Sequence, residues 1–343
     1  MDDPASDFSS VPATTAFGNP MKLAASLLWL AGLALLIGLV AYEGFNVIGE
    51  ALLKVGWGIF AVTAFYPLGL LTDTIGWRLL LPGTVRPPLR TLVGPRWICD
   101  AINFLLPSAQ VGGDLVRARL LTWRGISGPQ AGASVVTDIV TGVLTEILFA
   151  FLGVFFLIRY QGFGHTTVVV AASVLLFTFL VGVFYLMQRH GFFHGVTLLI
   201  GRLIQVGNWE AIIGSAAALD AAILATYGRR REFLKSCFWR LLGWFLGVSE
   251  VWLALYFLGH PLGLGKAIIL ESLVQAIRHA FFIIPGALGV QEGSFILLGA
   301  IVGLSPETGL AISLVKRVRE LLVGLPALLL WQFQEGHRLL RRR

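Results

Sequence analysis

Charged side chains stand within or beside long apolar runs at Asp100, Asp114, Arg117, Asp138, Glu146, Glu271, Arg278, Glu292, Lys316, Arg317, Arg319 and Glu320. A charge near the centre of an isolated membrane helix costs at least about 2.5 kcal/mol on insertion scales. So many of them demand mutual pairing, access to water or a polar ligand. A guanidinium offers two parallel donors to a phosphate or carboxylate, so Arg117, Arg278, Arg317 and Arg319 are candidates for holding an anionic headgroup. Carboxylates such as Asp114 and Glu292 would orient those bases or accept hydrogen bonds from hydroxyls and amines. The bland reading is equally open for any one residue: the charges pair only with one another and hold bent helices together.

The set gathers around two prolines. Asp100 lies seven positions before Pro107, and Arg278 lies seven before Pro285. Asp114 and Glu292 each follow their proline by seven, and Asp138 and Lys316 each follow by thirty-one. Glycines follow both prolines, at Gly112 and Gly113 in one half and at Gly286 and Gly289 in the other. The pattern predicts an inverted repeat in which these prolines and glycines are structural, breaking each helix and letting backbones approach closely. Two unrelated proline breaks would be the alternative.

Within the last apolar segment, Lys316 and Glu320 are four apart, so they are expected to share a helix face and can pair. Arg317 then points elsewhere, less easily neutralised by Glu320. It is the leading candidate for a substrate contact or a cross-helix partner, unless the helix lies shallow enough for these side chains to snorkel. Other chemistry finds no support. His190 and His194 have four-residue spacing but lack the intervening glutamate of a zinc protease, and Cys99 and Cys237 have no metal or redox spacing. No Walker loop, dinucleotide fingerprint or G-x-S-x-G element occurs. No catalytic residue, metal ligand or cofactor is expected, and ATP-driven transport by this chain alone is not.

The elements that must position these residues are membrane helices. Of 343 residues, 56% are hydrophobic and 13% charged, about half the charge of a soluble protein. The mean hydropathy is +0.80, which excludes an ordinary soluble enzyme. The formal charge of +7 is dispersed between apolar runs without stacking aromatics, so it suits anionic headgroups rather than nucleic acid. The reading is all-α and polytopic. Residues 1–22 form a flexible leader with no signal-peptide pattern, 23–334 one membrane domain, and 335–343 a basic tail. Full crossings are expected at Leu23–Ala41, Val55–Thr72, Ala131–Ile158, Thr167–Met187, Phe238–Leu258 and Glu307–Gln334, with Gly195–Thr226 read as interfacial or protein-covered. Re-entrant hairpins would enter near Pro107 and Pro285 from opposite faces. Basic loops around Arg78–Arg96 and Arg229–Arg231, with the tail, put both termini in the cytoplasm.

Two segments carry a family resemblance: Pro107-Ser-Ala-Gln-Val-Gly-Gly-Asp-Leu-Val-Arg117 and Pro285-Gly-Ala-Leu-Gly-Val-Gln-Glu292. With the Lys-Arg-x-Arg-Glu pattern from Lys316 to Glu320, they resemble the membrane region of the lysylphosphatidylglycerol synthase/flippase family over Leu23–Gln334. Ala287 departs from that pattern, where the family has a second glycine. The overall arrangement is similar to the hopanoid-biosynthesis-associated HpnL membrane proteins. The resemblance implies a multi-pass protein of the bacterial inner membrane that moves an amphipathic lipid, a hopanoid or an anionic phospholipid, between leaflets or towards an acceptor. Lipid-biosynthesis or acceptor proteins would be partners. Nine residues follow Gln334, so aminoacyl transfer is not expected. A lipid-modifying membrane enzyme, with Asp114 or Glu292 as acid/base, and a scaffold for a biosynthetic complex are the alternatives.

Overall fold

The computed structural model describes residues 53, 55–106, 108, 111–189 and 209–341. The expected leader, the crossing at Leu23–Ala41, Pro107, His190, His194 and the last two residues of the basic tail lie outside the described residues. Those described form eleven α-helices and two short 3-10 turns, with no strand. In chain order the helices are α1 (Gly58–Thr63), α2 (Tyr66–Leu80), α3 (Leu89–Leu105), α4 (Gly112–Thr122), α5 (Gly128–Gln161) and α6 (His165–Arg189). They continue with α7 (Trp209–Gly228), α8 (Arg230–Leu258), α9 (Leu264–Ala280), α10 (Val290–Val302) and α11 (Pro306–Arg341).

Four segments are long and apolar enough to cross a bilayer: Gly58–Leu80, Gly128–Gln161, His165–Gln188 and Arg230–Leu258. At 1.5 Å per residue each exceeds roughly 30 Å of hydrocarbon. They fall on four of the expected crossings, and the chain is an all-α, multi-pass membrane protein. Of the stretch 195–226, residues 209 onward belong to α7.

α5 runs through the middle, packed by α2, α4, α6, α7, α8 and α9. α6 is apolar throughout yet turns Leu175, Leu176, Phe179 and Leu180 outward, a surface that only lipid or another protein would cover. Around α5 the interior is filled by Leu255, Leu270, Leu273, Phe295, Ile312 and Val315.

The chain twice follows a helix, a break and a return helix with a longer third helix: α3, α4, α5 and then α9, α10, α11. Beyond the first break, α4 starts close against α3. The Gly113 amide donates to Asn103 Oδ1 at 2.9 Å, and a Cβ at Gly113 would strike the Cys99 carbonyl. The second break is the 3-10 turn Pro285–Ala287, where Gly286 has φ +59°, a conformation natural to glycine. A Cβ there would lie 2.9 Å from the Phe104 carbonyl oxygen at the end of α3, so the two breaks abut.

The return helices run towards opposite ends of α11. At one end the tip of α10 meets the start of α11, where Gly309 lies against the Phe295 backbone. The same end holds the tip of α5 and the start of α9: Gln161 donates to the Ile301 carbonyl at 3.2 Å and Lys266 to the Val302 carbonyl at 3.0 Å. At the other end Arg119 of α4 pairs with Glu335 of α11 at 3.0 Å.

Candidate functional site

The first broken unit is braced by a carboxylate on its third helix. Asp138 of α5, almost wholly buried, accepts Arg96 Nη1 from α3 at 2.7 Å and Arg117 Nη1 from α4 at 2.6 Å, both on Oδ2. Arg96 also donates to Asp73 Oδ2 of α2 at 3.0 Å and lies 3.2 Å from Asp100. Arg240 of α8 meets Asp73 at 2.8 Å and comes within 4.0 Å of Asp138 Oδ1. Arg117 completes its fork on Asp114 at 2.7 Å and lies over the Trp77 ring. Neutral donors supply the rest: the Tyr66 hydroxyl reaches Asp100 at 3.1 Å, and Asn103 reaches Asp114 at 3.4 Å.

The second unit is braced with the opposite sign. Lys316 of α11 donates to both oxygens of Glu271 on α9, at 2.8 and 2.7 Å. Arg317 donates to Glu292 of α10 at 3.0 Å, to the Gly286 and Ala287 carbonyls of the break at 2.7 and 3.2 Å, and to Glu320 at 3.0 Å. Glu320 also takes Arg278 of α9 at 2.8 Å, and Arg319 reaches Glu250 of α8 at 3.4 Å. Tyr66 touches both networks, with its hydroxyl on Asp100 and its ring 5.5 Å from the Arg319 guanidinium.

The expected Lys316–Glu320 pairing is therefore corrected. Spacing puts both on one helix, but α9 brings a closer carboxylate to the ammonium, and two guanidinium groups claim Glu320. Arg317, expected to point elsewhere and to be less easily neutralised by Glu320, meets it through an i,i+3 contact at 3.0 Å. Asp114 and Glu292 share a local role. Each is the third residue of its return helix, where the unpaired amides and the helix dipole favour a carboxylate. Glu292 Oε2 accepts the Gly289 amide at 2.7 Å, with Gly289 at φ +75°. At the other break, a Cβ on Gly112 would meet the Ser108 side chain.

Asp100, Asp114, Arg117 and Asp138 thus assemble in one network, and Glu271, Arg278, Glu292, Lys316, Arg317, Arg319 and Glu320 in the other. Glu146 belongs to neither: its Oε1 lies 2.6 Å from His279 Nδ1. Sequence reasoning missed Tyr66, Asp73, Arg96, Arg240, Glu250 and His279. A signal existed for two of them, since Arg240 and Glu250 interrupt an apolar run. A third, Arg96, stands one helical turn before Asp100.

The interior pairs are sealed, whereas the edges are not. Side chains of Asp138, Glu271, Lys316 and Glu320 are at most 2% exposed, against 24% for Asp73, 16% for Asp100, 14% for Asp114 and 13% for Arg317. A ligand arriving from outside would reach the second group first. Apart from both networks, a cavity of about 290 Å³ opens at the α5–α9 end, lined by Phe156, Arg159, Tyr160, Gly263, Gly265, Lys266 and Ile269. Among the described residues no three His, Cys, Asp or Glu side chains group as metal ligands would.

Residues 26–327 match the family described as the lysylphosphatidylglycerol synthase TM region. No curated protein and no solved structure matches the chain.

Proposed function

This chain belongs to the lysylphosphatidylglycerol synthase transmembrane-region family, and we propose that it moves an amphipathic lipid, a hopanoid or an anionic phospholipid, across the bacterial inner membrane or towards an acceptor. The observation that carries this reading is the meeting of the two helix breaks, Gly286 against the Phe104 carbonyl, with return helices leading to opposite ends of α11. Non-helical backbone at membrane depth is tolerated where protein or a water-filled cavity surrounds it, and broken helices line the transit route in many transporters.

On this reading α3 and α4 form a hairpin entering from the cytoplasmic face and α9 and α10 one from the opposite face. α11 adds a crossing to the four long apolar segments, and the further crossing expected at Leu23–Ala41 lies outside the described residues. The basic residues Arg78, Arg86, Arg90 and Arg229–Arg231 fit that orientation, as does Arg229 reaching the Leu80 and Leu81 carbonyls at the end of α2. The headgroup travels beside the partly exposed members of the two networks. A phosphate would exchange with a carboxylate on Arg317, and a hydroxyl would donate to Asp100 or Asp114. The acyl or ring system stays in lipid. Because each unit is cross-braced by buried ion pairs, it moves as one body, and rocking of one against the other would expose the headgroup path to alternate leaflets.

The test is protein-dependent transfer in proteoliposomes, comparing headgroup-labelled phosphatidylglycerol with a labelled hopanoid. Transfer of unmodified lipid supports the proposal. A chemically altered product would support a lipid-modifying enzyme, and binding of biosynthetic proteins without transfer a scaffold. Arg317→Gln is expected to slow the anionic lipid at least tenfold and the neutral one less, because it removes a charge from the path. Equal slowing of both would deny Arg317 a headgroup role.

A further inference from the structure

We propose that Glu146 and His279 form a proton-binding site that couples lipid movement to the proton gradient; the inference rests on the transport reading above and supplies its energy source. Glu146 sits in the middle of α5 and is 2% exposed. Every carboxylate of the two networks faces an arginine or a lysine. Glu146 instead faces an imidazole, which is a cation only when it holds a proton.

The surroundings leave the pair to balance itself. From α8, Trp244 donates to Thr145 at 3.2 Å and sets its ring edge-on to His279, with centroids 6.0 Å apart. The nearest cation on α8, Arg240, lies against Gly142, one turn before Glu146, and is engaged with Asp73 of α2 and Asp138. On α9, Gln275 is engaged with Glu271 and Arg278 with Glu320, while Lys316 of α11 also serves Glu271. α6 carries no charged side chain between its termini. On α7, Asp220 follows Leu219, which packs on Gly132, well before Glu146 along α5.

With one proton the pair is neutral, whether written as carboxylate and imidazolium or as carboxylic acid and imidazole, and a short transfer between Oε1 and Nδ1 interconverts the two. Without it, a buried carboxylate is left with no ion-pair partner of its own among the described residues, which is strongly unfavourable. Exchange of that proton needs contact with water. His279 is the partly exposed member of the pair. Its side chain is 38% exposed, and it stands in the last turn of α9, directly before the second break. The pair also ties α5, the third helix of the first unit, to α9, the first helix of the second. Rocking the units apart separates Oε1 from Nδ1, so proton occupancy and the arrangement of the units must be linked in both directions. One proton taken from water on one side and released on the other in each cycle would drive the lipid.

The full chain in proteoliposomes, with headgroup-labelled phosphatidylglycerol and a pH-sensitive dye inside, tests this. The wild type is expected to distribute the lipid unevenly under an imposed pH difference, by up to about tenfold per pH unit for one coupled proton, with a matching dye signal. In Glu146→Gln and in His279→Gln the uneven distribution and the dye signal disappear, whatever rate of equilibration is left. As a readout free of transport, the tryptophan emission of detergent-solubilised wild type should change with pH as imidazolium forms beside Trp244, and Trp244→Phe and His279→Gln should both remove that change. A wild type that moves lipid but ignores the pH difference overturns this inference and leaves the transport reading standing. A wild type that moves no lipid overturns both.

Discussion

In both broken units the third helix reaches both arms, yet the charge is wired in opposite senses. In the first, one carboxylate of α5 receives a guanidinium from each arm. In the second, two adjacent cations of α11 reach out, Lys316 to α9 and Arg317 to α10. The same positions relative to the two prolines hold Asp138 and Lys316, so a position that binds two cations in one unit donates to an anion in the other. At these two positions the sign differs while each connects the third helix to an arm. That argues for bracing as the work of the sealed residues, and leaves ligand contact to the exposed edge. The networks differ also in balance. Glu250, Glu271, Glu292 and Glu320 match four cations, whereas Asp73, Asp100, Asp114 and Asp138 share three arginines and lean on Tyr66 and Asn103.

Concentrating the first brace on one residue makes it the more fragile. Asp138→Ala takes the shared acceptor from two buried guanidinium groups at once, leaving Arg96 on Asp73 and Asp100 and Arg117 on Asp114, and removing one partner of a buried pair costs about 3–5 kcal/mol. The expected result is the largest loss of thermal stability in detergent, or no monodisperse protein. Lys316→Met strands Glu271 alone, which keeps Gln275, and should lose clearly less. Equal damage from both would erase the distinction between a hub and a distributed brace.

If connection matters more than sign, Glu271→Lys with Lys316→Glu should regain most of the stability that Lys316→Glu loses by itself. A double variant no better than the worse single one would show that the surrounding field fixes each sign. Next in size, Gly113→Val and Gly286→Val press a side chain onto a backbone carbonyl, and overpacking of this kind typically costs about 1–3 kcal/mol. Lipid transfer should fall further than stability does in Gly286→Val, because that residue lies where the units meet. Smallest of all, Arg119→Ala removes a pair whose arginine is 57% exposed, and should change stability by less than about 1 kcal/mol. A larger loss would mean that the α4–α11 contact holds the first unit in place.

Much of this was legible in the sequence. Charge inside apolar segments marked Asp138, Glu271 and Lys316 because burying charge is expensive, and that cost does not depend on the fold. The two prolines marked the breaks through the residues around them. Pair identities were not legible. Helical spacing relates Lys316 to Glu320, but whether α9 offers something closer depends on how the helices cross. Arg96 and Asp73 looked like loop and border residues because their burial comes from α5 and α8, distant in the chain. His279 was hidden by its type: an imidazole beside an apolar run is unremarkable until a buried carboxylate is found next to it.

The seam between Gly286 and the Phe104 carbonyl has main chain on both sides. Arg317 lies beside it on the Gly286 carbonyl, but the approach of the two backbones is set by the separation of the helices that end there. Widening it demands displacement of entire helices, a slower and more collective event than the flick of a side chain.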